Sequence, residues 1–492
     1  MREYRVIGNT VLPARDIETV LYPLLGDNKI LSDVEAARAA LEKAYHEHGF
    51  GTVFVDIPPQ EIENGIVRLH VTEGRLNARK IDGARYFSER DIVAALPAAK
   101  VGSVLDLPAL QRQLAEVNAQ TADLSVVPIL KAGPVPGTVD LELKTTDTLP
   151  LHGSVEVDDN YTAFTKPLRT TVGLSYGNLF AALDSVAIQY QDSPQDFGQV
   201  SVFNANYLTR PFADGVRISG YFINSNSNVA NVGAGALGVL GKGQIFGLGL
   251  DFAPVVTAHS SQELTLGVDY KHFRDVITPG GGSAQLVTPI SYTNVSLTYA
   301  GAWHSTHLDG SLSVTPDFGL RGAPNSADSF ENKRFLGRPN YFYLRWSGSL
   351  TGHLPADYRI TLRVAGQDTT EPLISNENFS IAGADGVRGY LEAEELGDVA
   401  EKASLQFQTP TWNWHIPKLF NAFLFVDVAH ERVLSTPPNQ PDNAELRSWG
   451  AGLSLFPEHA FTGSLIWADP LRNGTYTRAG ESRLLFSVRG SF

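Results

Sequence analysis

Residues 246–252 read Phe246-Gly247-Leu248-Gly249-Leu250-Asp251-Phe252, with every large apolar side chain on one parity and every small or polar one on the other. A period of two is a strand with one apolar face. The same rule holds in Val172, Leu174 and Tyr176, in Val186, Ile188 and Tyr190, and in Leu264, Leu266, Val268 and Tyr270. It returns in Val295, Leu297 and Tyr299, in Phe342, Leu344 and Trp346, in Ile360, Leu362 and Val364, and in Trp449, Ala451, Leu453 and Leu455. The residues between include Arg359 and Arg363, which a second apolar core would not accommodate. A soluble sandwich would carry about seven to nine strands per ~100 residues. Here segments of roughly ten residues recur to about sixteen, the length and even count of an all-β transmembrane barrel of antiparallel strands over 148–492.

The connections alternate in length. Short ones are expected at Asn178–Asp184, Leu354–Asp357 and Phe456–His459, and long ones at Asn224–Lys242, Asp317–Asn340, Gln367–Lys402 and Glu431–Leu446. If the chain before residue 148 and the C-terminus share one side, every long connection falls on the other, as an outer-membrane barrel requires.

Composition agrees. The 492 residues include 45 Gly, 25 Phe, 17 Tyr and 6 Trp, and only 19% are charged. The net charge of −14 argues against nucleic acid as a partner. With no cysteine there is no disulfide framework, thiol nucleophile or cysteine-held metal. No apolar run approaches the roughly 20 residues of a spanning helix. No signal peptide precedes the first strand, so location must be argued from architecture.

Residues 1–147 differ: they hold seven of the aromatics, no Trp, and the convincing helical patterns, 33–41 and 110–114. They also contain a degenerate repeat. Gly8 recurs as Gly83, Arg15-Asp16-Ile17 as Arg90-Asp91-Ile92, and Asp33 and Leu41 as Asp106 and Leu114. Residues 66–71 answer to 138–143. Each copy, 1–74 and 75–147, reads strand, helix, helix, strand, strand. The alternation of Val53, Val55 and Ile57, then Val67, Leu69 and Val71, predicts a sheet with one face on the two helices. So small a sheet leaves an edge on which an extended segment can add as a strand. The pair resembles POTRA domains, small α+β periplasmic modules of outer-membrane assembly and secretion proteins. The resemblance implies a receptor role, with Val53, Val55, Val67 and Leu69 as candidate substrate contacts.

The final segment places Leu484, Phe486, Val488, Gly490 and Phe492 on one parity. A terminal aromatic suits a closing strand at an interface, and Phe492 is also the kind of residue that barrel-assembly machinery reads.

The most specific stretch lies in the loop between the eleventh and twelfth strands, at about 367–402. Residues 379–390 read FSIAGADGVRGY, and Val387-Arg388-Gly389-Tyr390 matches the VRGY motif of the POTRA-plus-barrel superfamily. Two modules, about sixteen strands and this loop together resemble the TpsB transporters of two-partner secretion, the haemolysin and filamentous-haemagglutinin exporters. The resemblance implies that the loop folds back into the barrel and that Arg388 pairs with an inward Asp of an F-x-D-x-G strand. Phe425-Val426-Asp427-Val428-Ala429 supplies that strand, with Ala429 where the motif has Gly. Parity agrees, because Val426 and Val428 facing lipid turn Phe425 and Asp427 inward. Gly383, Gly386 and Gly389 would allow a tight hairpin tip. The plug helix and linker that precede the first module in that family are not visible here.

Enzyme readings are weak. Residues 233–238 fit G-x-G-x-x-G but lie between antiparallel strands and open no helix. Gly241-Lys242-Gly243 lacks the rest of a phosphate loop, and His46, His48, His304 and His307 have no metal-ligand spacing. The expectation is a transporter with no cofactor or metal that exports an unfolded exoprotein without nucleotide hydrolysis. Its partners would be the exoprotein, outer-membrane lipid and the barrel-assembly machinery, and its modules would face the periplasm. The alternatives are an assembly factor of the same superfamily, a passive porin or a barrel enzyme.

Overall fold

The computed structural model describes all residues except 63, 181–182, 211–214, 228, 233–236, 258, 278–285, 323, 415, 437–440 and 457–459. The G-x-G-x-x-G stretch and the connection expected at Phe456–His459 lie largely outside the described residues.

Met1–Pro150 holds two copies of one α+β unit. The first runs β1 (Glu3–Ile7), α1 (Ala14–Leu21), α2 (Leu31–Glu47), β2 (Val53–Asp56) and β3 (Ile66–Glu73). The second runs β4 (Arg75–Asp82), α3 (Glu89–Ala94), α4 (Leu107–Gln120), β5 (Leu124–Ala132) and β6 (Thr138–Asp147). Each sheet is ordered first strand, last strand, penultimate strand, with the first parallel to the last and the other pair antiparallel.

Helix α2 buries Val34, Ala37, Leu41, Ala44 and Tyr45, an i, i+3, i+7 stripe set against β2 and β3. The repeated acids both serve helix starts, but at different positions. Asp106 caps α4 by accepting from Ala109 N at 2.9 Å, while Asp33 lies inside α2 and accepts from Ile30 N at 2.7 Å. The repeated glycines do equivalent work. Gly8 and Gly83 have φ of +96° and +94°, and a Cβ on either would lie 2.3 or 2.2 Å from the carbonyl oxygen of Val71 or Thr145. Only glycine can leave the first strand so close to the last.

A carboxylate at the end of each last strand then fastens the segment that leaves the first strand. Glu73 accepts from Val11 N at 3.1 Å and from the amide and hydroxyl of Thr10. Asp147 accepts from the amides of Arg85, Tyr86 and Phe87 at 2.8, 2.5 and 2.9 Å.

From Leu151 onward sixteen strands close into a barrel among the described residues. They are β7 (Leu151–Asp158), β8 (Arg169–Leu179), β9 (Asp184–Asp192), β10 (Ser201–Leu208), β11 (Val216–Ser225), β12 (Gly243–Val256), β13 (Ser260–Ile277) and β14 (Leu286–His304). There follow β15 (Leu308–Gly319), α5 (Ala327–Lys333), β16 (Phe342–His353), β17 (Arg359–Asp368), β18 (Val399–Gln408), β19 (Ile416–Arg432), β20 (Asn443–Leu455), β21 (Phe461–Pro470) and β22 (Arg483–Ser491). After a break β18 resumes at Trp412–Trp414, and both pieces pair with β19.

Every barrel neighbour is antiparallel, and β22 closes on β7 from Ser487↔Asp158 to Ser491↔Ser154. Phe492 extends that seam by exchanging backbone hydrogen bonds with Gly153 at 3.0 and 3.1 Å. Its ring occupies the space a Cβ on Gly153 would need, 2.4 Å away.

The outward face is apolar and open, with Leu248 67%, Leu424 58% and Leu484 60% exposed. The inward face is short and polar along most of its height. At the loop end that rule lapses on the β10–β16 wall, where Val202, Ile223, Ile245, Phe273, Ile290 and Tyr292 point inward and form an apolar cluster.

Candidate functional site

The loop between β17 and β18 covers 369–398, narrower than the 367–402 read from the sequence, because both flanking strands run further. It folds onto the inner wall. A short ladder, Phe379↔Gly397 and Ser380↔Leu396, makes residues 379–397 a hairpin. At its tip Arg388 meets Asp427 through two parallel bonds, Nε to Oδ2 at 2.7 Å and Nη2 to Oδ1 at 2.8 Å. The Arg388 amide adds a third at 3.1 Å.

The remaining guanidinium donors reach Gln406 Oε1 at 3.1 Å and Ser404 Oγ at 3.0 Å, both on β18. The cation lies 3.4 Å from the centroid of the Phe425 ring. Strand parity builds this receiver: Ser404 pairs with Asp427 and Gln406 with Phe425 in the β18–β19 register. Val426 and Val428, on the alternate parity, are exposed on the outer face. The pair is almost fully buried, Arg388 at 8% and Asp427 at 0% exposure. A fork matched to a carboxylate in so dry a place fixes geometry more than it adds stability, because desolvation offsets the Coulomb gain.

The other motif residues seat the tip. Val387 is buried, and Tyr390 donates its hydroxyl to the carbonyls of Arg447 and Arg472 at 3.0 and 2.8 Å. Gly389 has φ +97°, and a Cβ there would lie 3.2 Å from Ala468 Cβ and 3.3 Å from Pro470 Cγ. Further along, Glu394 accepts from the amides of Tyr476 and Thr477 at 2.7 and 2.6 Å, tying the hairpin to the loop after β21. Beside the base of the hairpin the lumen keeps a cavity of about 450 Å³, walled by short polar side chains such as Ser219, Thr265 and Ser296, by the charged Asp269, Lys271, Asp317 and Arg345, and by Phe379. The arrangement is a hairpin whose tip is held to the inner wall by a buried ion pair, with a polar cavity beside its base at Phe379.

A family model described as haemolysin secretion/activation protein ShlB/FhaC/HecB matches residues 137–455, and one described as POTRA domain, ShlB-type, matches 1–74. The chain belongs to the ShlB/FhaC/HecB family. It is a TpsB outer-membrane transporter of two-partner secretion, with its POTRA modules in the periplasm. The outer membrane transporter CdiB of Dickeya dadantii is 22% identical over 476 residues, covering 92% of this chain and 79% of that protein. The heme/hemopexin transporter protein HuxB of Haemophilus influenzae is 20% identical over 483 residues, covering 95% and 82%. The solved structure of CdiB from Escherichia coli superposes with a TM-score of 0.73 at 16% identity, over 100% of this chain and 90% of that one, which supports the fold.

One expectation for the transporter needs correction. Val53, Val55, Val67 and Leu69, read as substrate contacts, are 0–3% exposed and belong to the core of the first module. They face the helices, so nothing outside the module can touch their side chains. The accessible residues on β2 are the alternate ones, Phe54, at 63% exposure, and Asp56.

Sequence reading also missed the foot of the loop. Glu377 and Asp398 are buried there, and Gln367, fully buried on β17, donates to both of their carbonyls at 3.1 and 3.0 Å. The available signal was the run of inward apolar residues at the loop end of β10–β16, which a purely polar lumen does not explain.

Proposed function

We propose that this transporter takes an unfolded exoprotein from the periplasm on its two modules and passes it through the barrel as an extended chain, without nucleotide hydrolysis. The observation that carries this reading is the Arg388–Asp427 fork, buried between the loop tip and the inner wall. An ion pair that contributes position rather than stability suits a segment that must leave and return. The modules offer open sheet edges at β2 and β5, with Phe54, Val127 and Leu130 exposed along them. An extended substrate would add there by backbone pairing, with apolar side chains covering those residues. Folding of the exported chain outside would supply direction. In this reading the outward apolar band meets outer-membrane lipid, and Phe492 is the signal read by the assembly machinery.

The test is export of the cognate exoprotein in cells. Arg388→Ala is expected to reduce export while the barrel still assembles, and loss of assembly instead would give the motif a folding role. Deleting 1–74 is expected to abolish export and leave an ion-conducting pore. Undiminished export after that deletion would remove the receptor assignment, and a requirement for ATP in proteoliposomes would remove the nucleotide-independent drive.

A further inference from the structure

The cavity beside the base of the hairpin carries charges that the Arg388 fork does not use. Asp269 and Lys271 on β13, Asp317 on β15 and Arg345 on β16 line it, and Glu377 of the loop meets Lys271 there. Both cations are engaged on the loop side. Lys271 Nζ donates to Glu377 Oε1 at 2.7 Å, and the same carboxylate accepts from Tyr343 OH at 2.9 Å and from Tyr292 OH. Arg345 donates through Nε to Gln367 Oε1 at 2.6 Å and through Nη2 to the Glu377 carbonyl at 3.0 Å. The two other carboxylates take their hydrogen bonds, among the described residues, from neutral donors. Asp269 Oδ1 accepts from Tyr221 OH at 2.6 Å, and Asp317 Oδ2 accepts from Asn294 Nδ2 at 2.6 Å.

Asp317 is the group left over. It is 5% exposed, yet its Oδ1 has no hydrogen-bond partner among the described residues, and neither has Oδ1 of Asn294 beside it. Buried acceptors are normally paired, and a bare carboxylate oxygen is costly. Asp269, Asp317 and Glu377 against Lys271 and Arg345 leave one negative charge in excess. Register spreads the acids along the wall: Asp269 pairs with Asn294 across β13 and β14, and Ser296 pairs with Asp317 across β14 and β15. The space in front of them stays open because Gly249 and Gly267 line it without side chains. A Cβ there would lie 2.3 Å from Ser219 Oγ or 2.7 Å from Ser296 Oγ. The rings of Tyr221, Tyr343 and Phe379 complete the lining, and aromatic faces attract cations. Two bare oxygens are too few for calcium, which takes roughly six to eight, but they suit N–H donors.

We propose that this cavity is a binding site for an organic cation, an ammonium or guanidinium group, with Asp317 as its counter-ion and Asp269 and the three rings as its surroundings. The cation donates to the bare oxygens of Asp317 and Asn294 and cancels the excess charge. A free small amine and a basic side chain of an exported chain share this chemistry. The site itself does not depend on the export reading; only the choice between those two occupants does.

Agmatine, which carries one ammonium and one guanidinium, is the probe. The full-length protein in detergent would be heated with agmatine or with sodium chloride of equal ionic strength, and the folded fraction read by heat-modifiable migration. A ligand that binds the folded state raises the midpoint, so agmatine should raise it beyond the salt control. In Asp317→Asn the agmatine needed for the same rise should increase about tenfold, the change that about 1.4 kcal/mol produces. Asp309→Asn, which removes an inward acid at the other end of β15, should respond like the parent. No rise in the parent, or an equal response in Asp317→Asn, would overturn the site. A loss in Asp309→Asn of the same size would overturn it in favour of a general field of the lumen. If Asp317→Asn does not run as a folded barrel, Asp269→Asn carries the same test, and a parent-like response there would overturn the site. Export in cells then separates the occupants. Reduced export by the folded Asp317→Asn variant identifies a basic side chain of the exported chain, and undiminished export a free amine.

Discussion

Val67 and Leu69 in β3 and Leu248 and Leu250 in β12 obey the same period-two rule and meet opposite fates. In the module the apolar parity turns inward onto two helices and is sealed, with Leu69 at 0% exposure. In the barrel it turns outward, with Leu248 at 67%, and the small or polar parity lines the interior. Alternation therefore tells that a strand has two faces but not which one lies inside. That is decided by what else the segment contains: helices to cover a sheet in residues 1–150 and, among the described residues, none long enough to cover one beyond it.

The sharpest way to break the comparison is to place one charge on each apolar face. Val67→Asp puts an unpaired carboxylate into a closed core, a cost of several kcal/mol that exceeds what a small module can lose. Limited proteolysis of the full chain should then cut residues 1–74 rapidly while the barrel remains intact. Leu248→Arg on the outward face should cost about 2–4 kcal/mol of barrel stability, with Ser219→Arg on the inward face costing little. Urea unfolding in detergent would check both, and equal costs would contradict the inside-out assignment.

Smaller effects sharpen the account of the modules. Asp147 is raised in pKa by its partial burial, but the amides of Phe87, Arg85 and Tyr86 and the Arg85 charge outweigh this and hold it below its ordinary 3.8. Because the folded value is depressed, its contribution is complete above about 3.8 and is lost as pH falls through the depressed value. Asp147→Asn should cost about 1 kcal/mol at neutral pH, allowing for solvent screening, and the cost should shrink in acid. Thermal melts of the module signal at pH 7 and pH 3 would show it. Phe54→Ser, on the exposed parity of β2, should change stability by no more than about 0.5 kcal/mol yet weaken exoprotein capture, and unchanged capture would move the receptor surface elsewhere.

Much of this was legible in the sequence because strand parity and loop length are local properties. The strand positions, the alternation of short and long connections and the inward direction of Asp427 all follow from them. The Gly8 and Gly83 repeat was visible for the same reason, since each glycine answers a local steric demand. What sequence alone could not supply was long-range. The facing of Val53, Val55, Val67 and Leu69 depends on helices packed over them. The pairing of Glu377 with Lys271, Tyr292 and Tyr343 joins residues far apart in the chain, and no spacing marks it. Asp147 likewise acts on amides that only the folded sheet brings near.

The central claim is that the loop tip gates the lumen through Arg388 and Asp427. Single-channel recording of the parent beside Arg388→Ala in planar bilayers tests it most directly. The account predicts longer or more frequent openings in the variant, with unchanged barrel folding by heat-modifiability. Currents indistinguishable from the parent, from a variant that folds normally, would contradict it.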